Sequence, residues 1–378
     1  QLGFKSMVYL DVTARNDWSS TFAGSNTKSF FYPTVGLSGI LTEIFPKMQS
    51  KAFNYMKLRV SYSEVGNRPD PFLTIPTYAI IAGTAATTTV MPNRDLKPER
   101  TKSWEVGANC AFLDNELKLD VTAYSSRTMN QIFNPPLSAS TGYTSVYVNG
   151  GRVDNKGIEA SLRLDHDFTR DLNWESYVTF ALNRNKIVTL LDNWYCAELD
   201  QYISQNDMNM ASSNAFQYKL KEGGSIGDLY VSTLKTDEHG AIYVNPQSKT
   251  VEIDANNYVY AGNTAPKCNL AWGNAITFKG FKLSFQLNAR VGGIVLSETQ
   301  AVMDYYGISK RTADARDNGG VRVNGYLIPA KEFFQTIGNE SGGVGAYYVY
   351  SATNVRLAEV TLGYDFPITK WVKWMKGL

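Results

Sequence analysis

Apolar and polar positions alternate along ten stretches of the chain, at 6–15, 30–42, 56–65, 103–113, 117–128, 156–167, 173–186, 268–279, 281–291 and 353–366. The clearest is the ninth. There Phe281, Leu283, Phe285, Leu287, Ala289 and Val291 share one face, and Lys282, Ser284, Gln286, Asn288 and Arg290 take the other. Side chains of a strand point to opposite faces with period two, so each run predicts a strand with one greasy and one wet side. In the last run Val355 and Arg356 break the phase that Ala358, Val360, Leu362 and Tyr364 keep, which predicts a bulge nearby.

The gaps alternate as well. Asp114-Asn115-Glu116, Phe168 to Leu172, and Lys279-Gly280 are short. The long connections fall at about 16–29, 66–102, 129–155, 187–267 and 292–352. Every long connection then lies at one end of an antiparallel sheet. The connection from Glu43 to Tyr55 is the longest on the short side. Soluble compact domains rarely carry such loops, whereas membrane barrels have tight turns on one side and elaborated loops on the other. Each run holds about 10–14 residues, and at a tilt near ~40° that rises about 25–35 Å, the height of an outer membrane's apolar band. No run approaches the ~18 unbroken apolar residues of a transmembrane helix. The fold class expected is all-β, a transmembrane antiparallel β-barrel, with residues 1–378 as one partial barrel domain with long extracellular loops.

Composition narrows this modestly. The 23 tyrosines and 7 tryptophans suit the aromatic girdles of a barrel. A net charge of +2 without a basic run gives no reason to expect nucleic acid. Cys110, Cys196 and Cys268 are odd in number and widely spaced, so neither a disulfide framework nor a metal site is expected. The chain opens on Gln1 without a leader, and Trp371 to Leu378 reads as a short-side connection. Ten strands with open edges would leave backbone amides unpaired in lipid, so the expectation is part of a larger barrel or one of several chains that close it.

Catalytic chemistry is not expected. The two histidines, His166 and His239, stand apart, and no nucleophile constellation accompanies them. Gly223-Gly224-Ser225-Ile226-Gly227 lacks the strand-to-helix setting of a phosphate loop. No cofactor or metal is expected, with one ion left open: Asp237, Glu238, Asp254, Asn256 and Asn257 are oxygen donors in the longest loop and could take calcium, although no twelve-residue EF-hand pattern is present.

Several motifs resemble a known family. Asn93-Arg94-Asp95-Leu96-Lys97-Pro98-Glu99-Arg100-Thr101, followed by Trp104-Glu105-Val106-Gly107, resembles a signature of TonB-dependent outer-membrane transporters. So does Asn149-Gly150-Gly151 with Asn155-Lys156-Gly157-Ile158-Glu159. Arg15 to Ser20, Tyr32-Pro33, Tyr62 to Asn67, Gly262 to Lys267 and Asn354 to Pro367 are similar to the SusC/RagA-like branch. The resemblance implies a barrel of about 22 strands around an N-terminal plug. The plug, a TonB-contacting segment and roughly the first ten strands would precede Gln1, and about two strands would follow Leu378. The Pro98 and glycine positions have a physical reading of their own: they shape extended backbone and permit close approach rather than contact ligand.

The resemblance further implies active import of an oligomeric nutrient, glycan or peptide, across the outer membrane. Implied partners are the TonB complex, through the missing N-terminal part, and a SusD-like surface lipoprotein serving as a lid. Candidate ligand positions are loop aromatics, Trp194, Tyr195, Tyr202, Tyr305 and Tyr306, whose flat rings stack on sugars or pack on peptide side chains. The rival reading is an outer-membrane adhesin or binding barrel without transport. A water-soluble sandwich or propeller would not explain loops confined to one side.

Overall fold

A computed structural model describes residues 1–196, 200–339 and 343–366. The stretch 371–378, expected as a short-side connection, lies outside the described residues. The chain divides into two compact units, Gln1–Gln205 with Lys267–Arg290 and Asn354–Leu378, and Asn206–Pro266 with Val291–Thr353.

The first unit is built on one sheet of eleven strands. They are β1 (Leu2–Phe4), β2 (Val8–Trp18), β3 (Ser29–Ile40), β4 (Phe53–Asn67), β5 (Glu99–Phe112), β6 (Leu117–Phe133), β7 (Val148–Thr169), β8 (Leu172–Thr189), β9 (Cys268–Phe278), β10 (Phe281–Val291) and β11 (Asn354–Tyr364). Neighbours in space are neighbours in this order. The ten long strands are the ten predicted runs, and the three-residue β1 is an addition at the edge. Two of the tight turns have the positive φ of type I′ at both central residues, Lys5 and Ser6, and Lys279 and Gly280, which matches the twist of the flanking strands. The long short-side connection after β3 is filled by two small helical turns, Leu41–Ile44 and Pro46–Met48.

On the loop side the ladder climbs further than the runs suggested. β7 has 22 residues and β8 has 18. Above the apolar band the outward positions of these strands are charged, as at Arg152, Asp154, Lys156, Arg184 and Lys186, so the outward apolar alternation ends while backbone pairing continues. The bulge in β11 falls at Ala358, just past the break in phase: Gln286 pairs with Glu359 and Leu287 with Leu357. It puts Val355 and Leu357 on the same face as Val360 and Leu362.

That face is where the sheet departs from a soluble protein. Leu362 is 76% exposed, Val355 70% and Trp104 58%, and Val12, Leu37, Val106, Leu283 and Val360 are exposed beside them. Such a continuous apolar surface is costly in water and suited to lipid. Among the described residues no helix is long and apolar enough to cross a membrane, which does not bear on crossing by strands. Buried clusters of this unit lie in the connections instead, as where Met91, Val146, Val148, Leu191 and Cys196 pack together.

The second unit comes from the connections after β8 and after β10. It holds a four-stranded antiparallel sheet, Asp207–Ser212, Phe216–Lys221, Asp228–Leu234 and Ile253–Asn263, and three helices, α1 (Glu298–Tyr305), α2 (Lys310–Asp317) and α3 (Ala330–Ile337). α3 buries Ala330, Phe333, Phe334 and Ile337, a spacing that makes one helical stripe, against Leu234, Val244, Val251 and Ile328.

Candidate functional site

The polar face of the large sheet carries a cavity of about 830 Å³. Arg59, Asp120, Glu159, Gln286, Arg290 and Arg356 are among its lining residues. Cross-strand partners point to the same side, so the polar members of seven strands converge there. Arg59 is the best-anchored of them. Its guanidinium makes a forked contact with Asp120, 2.8 and 3.3 Å, and also donates to Asn109 and Thr122. Asn109 donates to Asp120 in turn. Bidentate pairing fixes the plane of the guanidinium as well as its position.

Gly107 makes that reach feasible. It sits opposite Arg59 on β5, and a Cβ there would lie 2.6 Å from Arg59 Nε. The missing side chain lets Arg59 lie across β5 to reach β6. Gly157 repeats the device one strand pair further on, where the Tyr124 ring occupies the space a Cβ would need. Close approach, expected at both glycines, is therefore what they provide. Nearby, the Tyr177 hydroxyl donates to Gln286 at 3.0 Å. Sequence reading counted these residues only as the wet side of strands. Pairing register, which alternation alone does not supply, is what gathers them.

The long motif at 93–101 is engaged by the chain's own backbone. Asn93 is buried, donates to Tyr147 O at 2.9 Å and accepts from Asp95 N at 2.9 Å. Asn149 holds the Lys97 peptide from both sides, accepting from its N–H and donating to its carbonyl, each at 2.7 Å. Glu99 accepts from Ile132 N at 2.8 Å and from Asn67 at 3.0 Å. These contacts tie the 68–98 connection to the tops of β4, β6 and β7.

The five loop aromatics fall in both units. Trp194 is half-buried against the Leu191 and Cys196 cluster. Tyr195 and Tyr202 face each other across a hairpin of Leu191–Cys196 and Gln201–Gln205, rings 5.1 Å apart, and both are exposed. Asp200 accepts a hydrogen bond from Tyr195 at 2.7 Å, and this bond is the main cause that raises the phenol's pKa. In the second unit Tyr305 and Tyr306 end α1 and line a cavity of about 250 Å³ with Arg316, Lys331, Phe334 and Gln335.

That cavity borders a buried carboxylate. Asp304 is fully buried and accepts from Gln300 at 2.9 Å, from Ser309 at 2.5 Å and from Arg311. Burial pushes its pKa up, and the bonds from Arg311, Ser309 and Gln300 outweigh that and hold it below the ordinary value. Arg311 also lies over the Tyr348 ring, 4.9 Å from its centroid. The group ties α1 to the start of α2, whose N-cap is Ser309.

Of the oxygen donors considered for calcium, Asp237 accepts from the amides of His239 and Ala241 at 2.9 Å, and Asp254 accepts from Asn256 N at 3.4 Å. Among the described residues no three His, Cys, Asp or Glu side chains are grouped as a metal site. Gly223 to Gly227 forms the turn between two strands, closed by Ser225 N donating to Asp228 at 2.8 Å.

A sheet apolar on one face and polar on the other, with tight turns at one end and built loops at the other, defines an outer-membrane β-barrel protein. A family model described as "TonB dependent receptor-like, beta-barrel" matches residues 1–195, and the chain belongs to that family. It is similar to TonB-dependent receptor P3 of Formosa agariphila, 25% identical over 382 residues, covering 96% of this chain and 37% of that protein. It is also similar to TonB-dependent receptor SusC of Bacteroides thetaiotaomicron, 23% identical over 372 residues, covering 94% of this chain and 36% of that one. The chain thus spans a little over a third of the length of these relatives. Among solved structures, the RagAB peptide importer in its open-open state superposes with a TM-score of 0.74 at 20% identity, over 98% of this chain and 40% of that one.

Proposed function

We propose that this chain supplies barrel wall and outward loops to a TonB-dependent importer of an oligomeric nutrient, a glycan or a peptide, working with a SusD-like surface lipoprotein. One observation carries the reading: in a chain of this family, the face turned away from the apolar surface holds a cavity of about 830 Å³ lined by arginines, carboxylates and amides. Arginines, carboxylates and amides in such numbers suit a ligand rich in hydroxyls or peptide groups. Likeness to SusC and to the RagAB peptide importer supports import of that size class. The exposed Tyr195 and Tyr202 rings, with Trp194, Tyr305 and Tyr306, are the proposed stacking surfaces.

The test uses cells lacking the full-length gene, supplied with oligosaccharides or oligopeptides too large for general porins. Uptake of one class should be lost, regained with the wild-type gene, and not regained in cells lacking TonB. Unchanged uptake of both classes together with lost surface adhesion would replace import by the adhesin reading.

A further inference from the structure

The lysines and arginines on the lipid side of the sheet are gathered in one place. Arg100 and Lys102 on β5, Arg127 on β6, Arg152 and Lys156 on β7, and Arg184 and Lys186 on β8 share the face of Val106, Ile158 and Leu162. Register sets them level: Lys102 pairs with Arg127, Arg127 with Asp154, and Asp154 with Lys186, while Lys156 pairs with Arg184. Among the described residues, the same face of β2, β3, β4, β9, β10 and β11 carries no lysine or arginine.

The patch stands at the loop-side margin of the apolar band. Directly beneath it Trp104 packs on Tyr62, ring centroids 4.8 Å apart, as interfacial aromatics do at headgroup level. Two carboxylates share the face. Glu64 lies 3.5 Å from Lys102 and 3.6 Å from Arg100, and Asp154 lies 3.4 Å from Arg127 and 2.8 Å from Arg152. Those pairs hold four cations in place. Lys156, Arg184 and Lys186 are exposed and, among the described residues, have no ion-pair partner.

We propose that this patch binds the phosphate groups of phosphorylated lipid headgroups in the leaflet around the barrel. Seven cations against two carboxylates leave an excess of positive charge where headgroup phosphates lie. The exposed apolar face continuous with the patch would take the acyl chains of the same lipid, which a free phosphate lacks. The patch also faces away from the cavity, so it is separate from the proposed nutrient path.

The test is native mass spectrometry of the full-length protein in detergent, offered a diphosphorylated glucosamine lipid or its dephosphorylated counterpart. Each cation near a headgroup contributes roughly fivefold in affinity. Wild type should therefore retain the phosphorylated lipid at least about tenfold better. The triple variant K156Q/R184Q/K186Q should lose that preference, while K57Q/K118Q/K282Q, on the opposite face, should keep it. Equal retention of both lipids by wild type overturns the proposal without any substitution. So does undiminished preference in a folded triple variant, or inorganic phosphate displacing the lipid at equal concentration.

Discussion

At the scale of single residues, two arrangements set expectations. Gly107 is empty so that Arg59 can cross β5. Gly107→Ala should displace the guanidinium from Asp120 and Thr122, and Arg59→Ala should leave Asp120 with fewer donors. Each is expected to cost about 1–3 kcal/mol. Denaturant titration of the full-length protein in detergent checks this, with the double variant costing no more than the larger single one. Asp304 gives the second. Its native pKa lies below the ordinary 3.8, so its contribution is present above that value and is lost as pH falls through the native one. Pepsin cleavage within 297–317 should rise in wild type as pH falls below 3.8. Asp304→Asn leaves Arg311 without its buried partner, a loss of about 2–4 kcal/mol because the arginine is itself partly exposed. In that variant cleavage, taken relative to an unfolded peptide at each pH, should be as high above pH 3.8 as below it.

At the scale of elements, the long strands were legible because one face of each is apolar over the membrane's height. Phe281 to Val291 needs no tertiary information to be read as a strand. Strand ends on the loop side were not legible, since residues such as Asn149, Arg152 and Thr189 pair their backbones above the height at which the outward face is apolar. Nor was the inner-face cluster. Arg59 and Asp120 are 61 residues apart, and only the registers of β4, β5 and β6 bring them together. The helices of the second unit escaped notice because α1 to α3 are eight residues each, too short for periodicity to separate from loop. The bulge at Ala358 yields a prediction. Deleting Ala358 joins Leu357 to Glu359 in the register they already hold against Leu287 and Gln286, and should cost under about 1 kcal/mol. Deleting Leu287 should instead turn Asn288 and Arg290 toward lipid, and near the loop-side end of the strand the charge costs up to about 1 kcal/mol on top of the exposed amide. Heat-modifiable gel mobility of the outer-membrane protein would separate the two.

At the scale of the whole molecule, everything follows from which solvent each face of the sheet meets. An apolar face exposed along ten strands, with aromatics and then cations at its loop-side margin, is ordered as a membrane is ordered with depth. The polar face is ordered laterally instead, by ion pairs and amides that cross from strand to strand, and the cavity lies along it. The wall and the nutrient path of the proposed importer are two sides of one set of strands.

Site-directed spin labels along residues 281–291 of the full-length protein in lipid vesicles test this most directly, with Cys110, Cys196 and Cys268 replaced. Labels at Phe281, Leu283, Phe285 and Leu287 should collide with dissolved oxygen and be shielded from a water-soluble nickel chelate. Labels at Lys282, Ser284, Gln286 and Asn288 should show the reverse. Collision profiles without a two-residue period, or with both faces open to the chelate, would contradict the account.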